Sequence, residues 1–238
     1  MNYFQEGVVW LNDPLNWTNP GGLLDRLEEH LLISLWAVLL GCVIGWPLGI
    51  WLGHRGRGGG VVVTIANLTL AIPTLALLTI LPLTPLGFGQ PPVVVALAVF
   101  AVPPLLANAY TGLRQIDPET RDAARGMGLS GGQLLRQVEL PLSVPYLAAG
   151  LRTAAVQVVA TAALAAFVNG GGLGEIISAG FGIGMSAGGG GQIVAGGIVV
   201  ALLALLVEGL LAGVQRWVTP AALRTDRRRR PTAAAPAG

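Results

Sequence analysis

Long apolar stretches dominate this sequence and constrain its fold more than any other feature. A helix that crosses a hydrocarbon core of about 30 Å needs about 20 mostly apolar residues. Five stretches are long and apolar enough: Leu31–Leu52, Val61–Leu81, Pro92–Ala109, Val144–Val168 and Ile193–Val214. Charged residues make up 11% of the chain, against about 25% in soluble domains. The sequence therefore predicts an all-α, multi-spanning membrane protein with about five transmembrane helices.

The positions of the basic residues predict how these helices cross the membrane. All 14 basic residues are arginines, and arginines follow the first, third and fifth stretches. Because basic residues accumulate in cytoplasmic loops, we expect the N-terminus outside and the C-terminus in the cytoplasm. The expected regions are an extracytoplasmic segment at 1–30, a transmembrane domain at 31–215 with a cytoplasmic loop at 112–143, and a cytoplasmic basic tail at 216–238. The run Arg227–Arg230 favours an anchor at the membrane lipid over a nucleic-acid site, with a sensor of anionic lipid as the alternative.

The cytoplasmic loop carries the signals of two short helices joined by a turn. Asp117-Pro118-Glu119 is typical of a helix start, because Asp caps free N–H groups and Pro suits the first helical position. The predicted first helix covers Thr120–Met127, and Gly128 takes the left-handed conformation that ends it. A second helical segment is expected over Gln133–Glu139, closed by Pro141. The pattern predicts a helix-turn-helix elbow lying against the membrane.

The residues of this elbow follow a known spacing. Asp122-Ala123-Ala124 is followed after three residues by Gly128 and after nine more by Val138, and Leu140-Pro141 comes one residue later. This resembles the E-A-A-x3-G-x9-I-x-L-P signature of binding-protein-dependent ABC import permeases, with Asp in place of Glu and Val in place of Ile. The resemblance implies the type I ABC importer permease fold and an elbow that docks on an ATPase subunit. The implied coupling residues are Asp122, Ala123, Ala124, Arg125, Gly128, Val138, Leu140 and Pro141.

Two further segments resemble one subgroup of these permeases. Asn108–Pro118 and Gly170–Gly174 are similar to importers of the osmoprotectants glycine betaine, choline and carnitine. Importers of methionine and other small solutes share parts of the pattern. The resemblance therefore implies osmoprotectant import, with methionine or another small solute as the alternative and an ATPase-independent transporter or channel as a more distant one.

Residue types missing from the sequence indicate what partners must supply. The chain contains no lysine, and a P-loop needs a lysine on the nucleotide phosphates, so ATP and Mg²⁺ are expected on a partner ATPase. A quaternary ammonium is usually held in an aromatic cage, and no tight aromatic cluster occurs here, so selection is expected in a separate extracytoplasmic binding protein. Five helices enclose little space, which predicts a second permease copy or a homologous permease. No catalytic or metal site is expected, and His30 and His54 are interpreted as interfacial.

Polar residues in apolar stretches are costly in lipid and therefore mark candidate sites. Glu208 is the only carboxylate well inside an apolar stretch, and the sequence leaves open whether it makes a structural hydrogen bond or contacts the solute. The candidate pathway or gate residues are Asn67, Pro73, Asn108, Gln157 and Glu208. The glycine-rich segment 169–191 predicts either a short outer helix or gate, or a flexible connector.

Prolines and glycines in the apolar stretches predict local departures from regular packing. The prolines expected to kink or interrupt helices are Pro47, Pro73, Pro103 and Pro104. Glycines also recur every four positions on one face of the first stretch, at Gly41, Gly45 and Gly49. That spacing suits close helix packing, either within one protomer or between two.

Overall fold

The computed structural model describes residues 2–219, without the side chain of Ser186, and this part of the chain is helical with no β-strand. Its α-helices are α1 Tyr3–Asn12, α2 Leu15–Thr18, α3 Leu23–Arg55, α4 Gly59–Leu68, α5 Thr74–Ile80, α6 Gln90–Arg114, α7 Pro118–Gly126, α8 Gly131–Leu134, α9 Leu140–Ala162, α10 Gly174–Ile183 and α11 Gly189–Val218. Short 3-10 turns follow α4, α5, α9 and α10, and a π-helical segment joins α8 to α9. The predicted anchor Arg227–Arg230 lies outside the described residues.

Within residues 2–219, four helical stretches are long and apolar enough to cross a membrane by themselves. They are α3, α6, α11 and the stretch Gly131–Val168 that contains α8 and α9. A fifth span arises if Gly59–Ala71 and Thr74–Leu83 are counted as one, although their axes meet at 81°. The prediction of an all-α protein with about five spans is therefore confirmed. The first span is longer than expected, because α3 has 33 residues and so measures about 50 Å at 1.5 Å per residue.

Proline interrupts only one of the described spans. Ile72 and Pro73 have ψ angles of 126° and 124°, so the backbone is extended between α4 and α5. A proline disfavours helical geometry in the residue before it, which explains the break at Ile72. By contrast, α3 continues through Pro47, and α6 continues through the pair Pro103–Pro104. The expected interruption is thus found at Pro73, while the other three prolines sit inside continuous helices.

Glycines bring α3 and α6 into close contact along their length. A methyl group placed on Gly41 would lie 2.7 Å from Cβ of Ala101, and one on Gly49 would lie 2.5 Å from the carbonyl oxygen of Leu106. Gly45 faces the same helix in the same way. Because no side chain fits at these positions, the two backbones approach each other directly. The spacing therefore serves packing within the protomer.

The core of the bundle lies between α3, α6 and α9. Apolar side chains from all three helices pack together there, including Ile33, Ala37, Leu97, Ala101, Leu105, Ala154 and Val158. The helix α11 packs against α9, and α1 and α10 cover its first turns. Its other face stays open, and the large side chains more than half exposed on it are Leu202, Leu205, Leu206, Leu210 and Trp217. One side of the bundle thus presents a long apolar surface.

Candidate functional site

The predicted elbow is present at one end of the bundle, where α3 and α6 end and α9 begins. We name residues 117–134 the elbow and this side of the bundle the elbow end. The side chain of Asp117 accepts a hydrogen bond of 2.9 Å from the N–H of Glu119, and Pro118 occupies the first turn of α7. The cap satisfies an N–H group that would otherwise lack a partner. The helix start predicted from Asp117-Pro118-Glu119 is therefore found within two residues of its expected position.

A tight glycine turn ends α7. Gly128 has φ of +87°, in the left-handed region that favours glycine. Its N–H donates to the carbonyl of Arg125 at 2.9 Å, and the N–H of Leu129 donates to the carbonyl of Ala124 at 3.3 Å. This pair of bonds is the Schellman motif, which closes the last carbonyls of a helix. The turn fixes the direction in which the chain leaves α7.

The second half of the elbow differs from its prediction. A reciprocal cap between Ser130 and Gln133 starts α8, and the chain then continues without a stop through the π segment Leu135–Glu139 into α9. Pro141 was expected to close the segment and instead lies in the first turn of α9. Pro141 lies where the hydrogen-bond pattern changes from π to α, and the helix continues there although this proline has no N–H to donate. The elbow is therefore continuous with the fourth span.

The coupling residues fall into exposed and inward-facing groups. The exposed members are Asp122, Ala123, Arg125, Gly128 and Pro141, whereas Val138 and Leu140 are partly buried. Ala124 is only 2% exposed and packs inward. Asp122 lies 3.5 Å from Arg125, but both side chains are more than 60% exposed, so the pair contributes little stability. Asp122 is free to exchange this partner for a basic group on another protein.

A group of ionisable side chains around the buried Glu139 lies directly beneath the elbow and was not predicted. Glu139 is 1% exposed, and its Oε1 lies 3.0 Å from Nε of Arg121 in α7. Its Oε2 lies 2.5 Å from Nδ1 of His54, near the end of α3. Arg121 also donates from Nη2 to the carbonyl of Leu113 in α6. We name Glu139, Arg121 and His54 the elbow cluster.

The opposite end of the bundle holds a second polar group. His30 is fully buried, so its interpretation as interfacial is wrong. Its Nε2 lies 2.9 Å from the carbonyl of Val159, and its Nδ1 accepts a hydrogen bond of 3.3 Å from the N–H of Leu173. Together these contacts fix the neutral tautomer with the proton on Nε2. The loop before α10 is thereby attached to α3 through a histidine that burial would otherwise penalise.

Charged side chains reinforce this attachment of the glycine-rich segment. Arg26 lies 2.8 Å from both Glu29 and Glu175. Glu29 also accepts a hydrogen bond of 2.9 Å from the N–H of Gly172. Within 169–191 the chain forms the helix α10. Of the two alternatives for this segment, the structure therefore contains the short helix.

The third polar group lies within the spans and includes an arginine that sequence reasoning missed. Arg152, near the middle of α9, donates from Nε to Glu208 of α11 at 2.6 Å, and its Nη1 lies 3.4 Å from Gln215. The side chains of Arg152 and Glu208 are 38% and 34% exposed. Each is the only charge in its apolar stretch, and the two charges have opposite sign. A charge in lipid normally has a partner, so this combination is the signal that could have indicated the pair. The carboxylate therefore makes a structural ion pair.

Open cavities follow this ion pair along the outer face of α9 and α11. One of about 540 Å³ includes Gln157, Arg152 and Glu208 in its lining. A second of about 310 Å³ continues toward the elbow end and is lined by Arg152, Gln215 and Thr219, among others. Since Arg152 and Gln215 line both, the cavities form one polar track, which we name the α9–α11 track. Two of the candidate pathway residues, Gln157 and Glu208, thus line the same cavity.

The remaining candidate pathway residues lie elsewhere. Asn67 and Pro73 are exposed on the broken second span. Asn108 donates to the carbonyl of Pro104 at 2.8 Å and packs against Gly150. None of these three residues lines the two cavities of the α9–α11 track. Among residues 2–219, no group of three or more His, Cys, Asp or Glu side chains is arranged to hold a metal ion.

Comparison with known proteins places these features in one family. Residues 45–220 match the model of the binding-protein-dependent transport system inner membrane component. The chain is 38% identical over 208 residues to the glycine betaine/carnitine/choline transport system permease protein OpuCB of Bacillus subtilis, covering 87% of this chain and 93% of the relative. It is 34% identical over 210 residues to the osmoprotectant import permease protein OsmW of Salmonella typhimurium, covering 87% and 96%.

Solved structures show the same architecture. An inward-facing structure of the methionine ABC transporter MetNI contains a chain that matches with a TM-score of 0.74 and 27% identity, over 88% of this chain and 100% of that one. A second crystal form of MetNI matches with a TM-score of 0.72 and 24% identity, over 83% and 96%. The family match spans the elbow, the π segment and the α9–α11 track. The chain therefore belongs to the family of inner-membrane components of binding-protein-dependent transport systems.

Proposed function

We propose that this chain is the permease subunit of an ATP-driven ABC importer that moves osmoprotectant quaternary amines into the cytoplasm by alternating access. The observation that carries the proposal is the elbow. It presents Asp122, Ala123 and Gly128 on an exposed helix-turn-helix, and the rest of the Asp122-to-Pro141 spacing follows where the chain continues into the fourth span. Relatives named for glycine betaine, carnitine and choline transport, at 38% identity, support the solute class more strongly than the methionine transporter at 27%.

The elbow is suited to enter a cleft on a soluble ATPase subunit. Ala123 and Gly128 offer backbone surface without bulky side chains, and Met127, 76% exposed, adds an apolar contact between them. Asp122 supplies a carboxylate for a basic residue of the ATPase. Ala124 contributes from inside, because its small side chain allows α7 to pack closely on the bundle. The ATPase contact thus consists of one charge and a small apolar surface.

The energy for transport comes from the partner. Without any lysine in its sequence, this chain cannot form the P-loop that holds nucleotide phosphates. ATP and Mg²⁺ are therefore assigned to the ATPase subunits. This division requires the elbow to lie in the cytoplasm, with the C-terminus on the same side and the N-terminus outside, as the arginine distribution predicts.

A second permease copy, identical or homologous, completes the pathway. Arg152 and Glu208 lie in mid-span yet are more than one-third exposed in a single chain. Charges in contact with lipid tails are costly, and such groups normally face protein or a water-filled cavity. A second copy placed over the α9–α11 track would exclude lipid and enclose a polar passage between the two. An extracytoplasmic binding protein would deliver the solute to the opposite end.

Uptake measurements test the solute class. Cells that express the whole importer, with or without this chain, are supplied with labelled glycine betaine, choline, carnitine or methionine. We expect chain-dependent uptake of at least one quaternary amine and none of methionine. Uptake of methionine alone would replace the osmoprotectant assignment, and uptake that persists without ATPase activity would overturn the importer itself.

Variants of Asp122 test the docking surface. Asp122→Arg is expected to abolish co-purification with the ATPase, because it places a positive charge against a basic partner. Asp122→Glu is the matched control, because it restores the residue that the family signature usually carries and should keep full association. Equal association of both variants would contradict the assignment of Asp122 to the contact.

A further inference from the structure

The elbow cluster connects four elements through three side chains. Arg121 belongs to α7, His54 to the last turn of α3, and Glu139 to the π segment that leads into α9. The bond from Arg121 to the carbonyl of Leu113 adds the last turns of α6. Among these groups only His54 has appreciable solvent contact, with 26% of its side chain exposed. The cluster is thus the polar centre of the junction between the elbow and the spans.

A carboxylate as buried as Glu139 demands a defined arrangement of its partners. Removing a charge from water is costly unless the group is paired and hydrogen-bonded. Oε2 of Glu139 is within hydrogen-bond distance of His54, and Oε1 forms an ion pair with Arg121 Nε at 3.0 Å, so the two oxygens have partners from different helices. If α7 swivels or slides, at least one oxygen loses its partner. The cluster therefore favours one orientation of the elbow far more than apolar packing alone would.

The local backbone supports the same conclusion. Glu139 is the last residue of the π segment Leu135–Glu139. Such single π turns are rare and occur mostly at functional sites. A π turn holds one residue more than an α turn, so it changes which side chain faces the bundle. Here the side chain that faces inward is the one that joins Arg121 to His54.

We propose that Glu139 is a positioning residue that holds the elbow on the ends of α3, α6 and α9, so that a displacement of the elbow moves these helices together. The glycine contacts between α3 and α6 extend this rigid unit along the spans. The inference rests on the proposed function for the origin of the displacement, which is the docked ATPase. Glu139 itself faces away from the docking surface.

Two measurements on Glu139→Gln test the proposal. This substitution keeps the volume of the side chain and removes its charge. In the full-length chain in nanodiscs, trypsin cleavage after Arg125, whose side chain is 61% exposed, should become about tenfold faster, because the elbow opens more often. In the importer reconstituted with its ATPase and binding protein, labelled glycine betaine taken up per ATP hydrolysed should fall about tenfold, while ATPase association stays unchanged. Glu28→Gln is the matched control, since it removes an exposed carboxylate from the opposite end of the bundle.

The outcomes separate this inference from the proposed function. Unchanged cleavage, or unchanged uptake per ATP, in Glu139→Gln would overturn the positioning role. Faster cleavage in a chain whose wild type shows no ATP-driven uptake would support the role and overturn the proposed function instead. If Glu139→Gln does not assemble, His54→Leu removes the hydrogen bond to Oε2 of Glu139 and leaves Arg121 beside Oε1. Its cleavage should then accelerate by less than tenfold, and no acceleration would overturn the proposal.

Discussion

Gly128 and Gly126 form a natural pair for testing the conformation of the elbow. Both are exposed, two residues apart, and an added methyl group would meet no atom within 4 Å at either position. They differ in backbone conformation, because Gly128 has φ of +87° and Gly126 is the last residue of α7. Replacing each by alanine therefore isolates the cost of the left-handed turn from any steric effect.

The size of the effect follows from these conformations. A non-glycine residue in the left-handed region costs about 1–2 kcal/mol, so Gly128→Ala should destabilise the turn by that amount. Gly126→Ala should stabilise α7 by as much as about 1 kcal/mol, because alanine favours helix over glycine. The variants should thus differ by about 2 kcal/mol, which corresponds to about 30-fold in the equilibrium for opening the turn.

Hydrogen exchange at the elbow measures this equilibrium directly. The N–H of Leu129 donates across the turn to Ala124, so its exchange rate reports opening. We expect faster exchange in Gly128→Ala than in the wild type, slower or equal exchange in Gly126→Ala, and weaker ATPase binding in the first variant alone. Equal exchange rates in the two alanine variants would show that the left-handed turn does not hold the elbow, and the reasoning would fail.

Three other predictions concern the bundle. Gly49→Ala should lower the free energy of unfolding by about 1–3 kcal/mol, because the new methyl group meets the backbone of α6. Gly209→Ala is the control and should not lower it, because a methyl group there meets no atom within 4 Å. Thermal unfolding in detergent compares the two variants. Arg152→Leu should lower the yield of folded chain by leaving Glu208 without its cation, and the double variant with Glu208→Leu should recover that yield in size-exclusion profiles. Asn169→Ala should lower the free energy of unfolding by about 1 kcal/mol, because Asn169 has φ of 56°. Asn169→Gly should leave that free energy within a few tenths of a kcal/mol of the wild-type value in the same unfolding assay.

Much of the fold could be predicted because lipid imposes simple length and composition rules. The number of spans follows from apolar length, and the start of α7 and its glycine turn follow from capping chemistry that acts within a few residues. The break at Pro73 has the same local origin. The ends of the spans are less predictable, since α3 continues to Leu23 through polar residues that only tertiary contacts, such as those of His30 and Glu29, can satisfy.

Contacts between residues that are far apart in the sequence were the main feature that could not be predicted. His54 and Glu139 are 85 positions apart, and nothing in the local pattern of either residue indicates the other. The continuation of the helix through Pro141 was missed for a related reason, because a π turn has no strong residue preference to reveal it. The pairing of Arg152 and Glu208 was also missed, although each is the only charge in its apolar stretch and the two charges have opposite sign.

The π segment before the fourth span also sets the direction in which the elbow faces around the axis of that span. An α-helix advances by about 100° and 1.5 Å for each residue, so one residue more or less within Leu135–Glu139 would rotate the elbow by about 100° about the axis of that span. The rotation would turn the Asp122 surface toward a different side of the bundle while leaving its shape intact. The side from which the proposed ATPase would approach the elbow is therefore set by the length of this five-residue segment, separately from the residues proposed to make the contact.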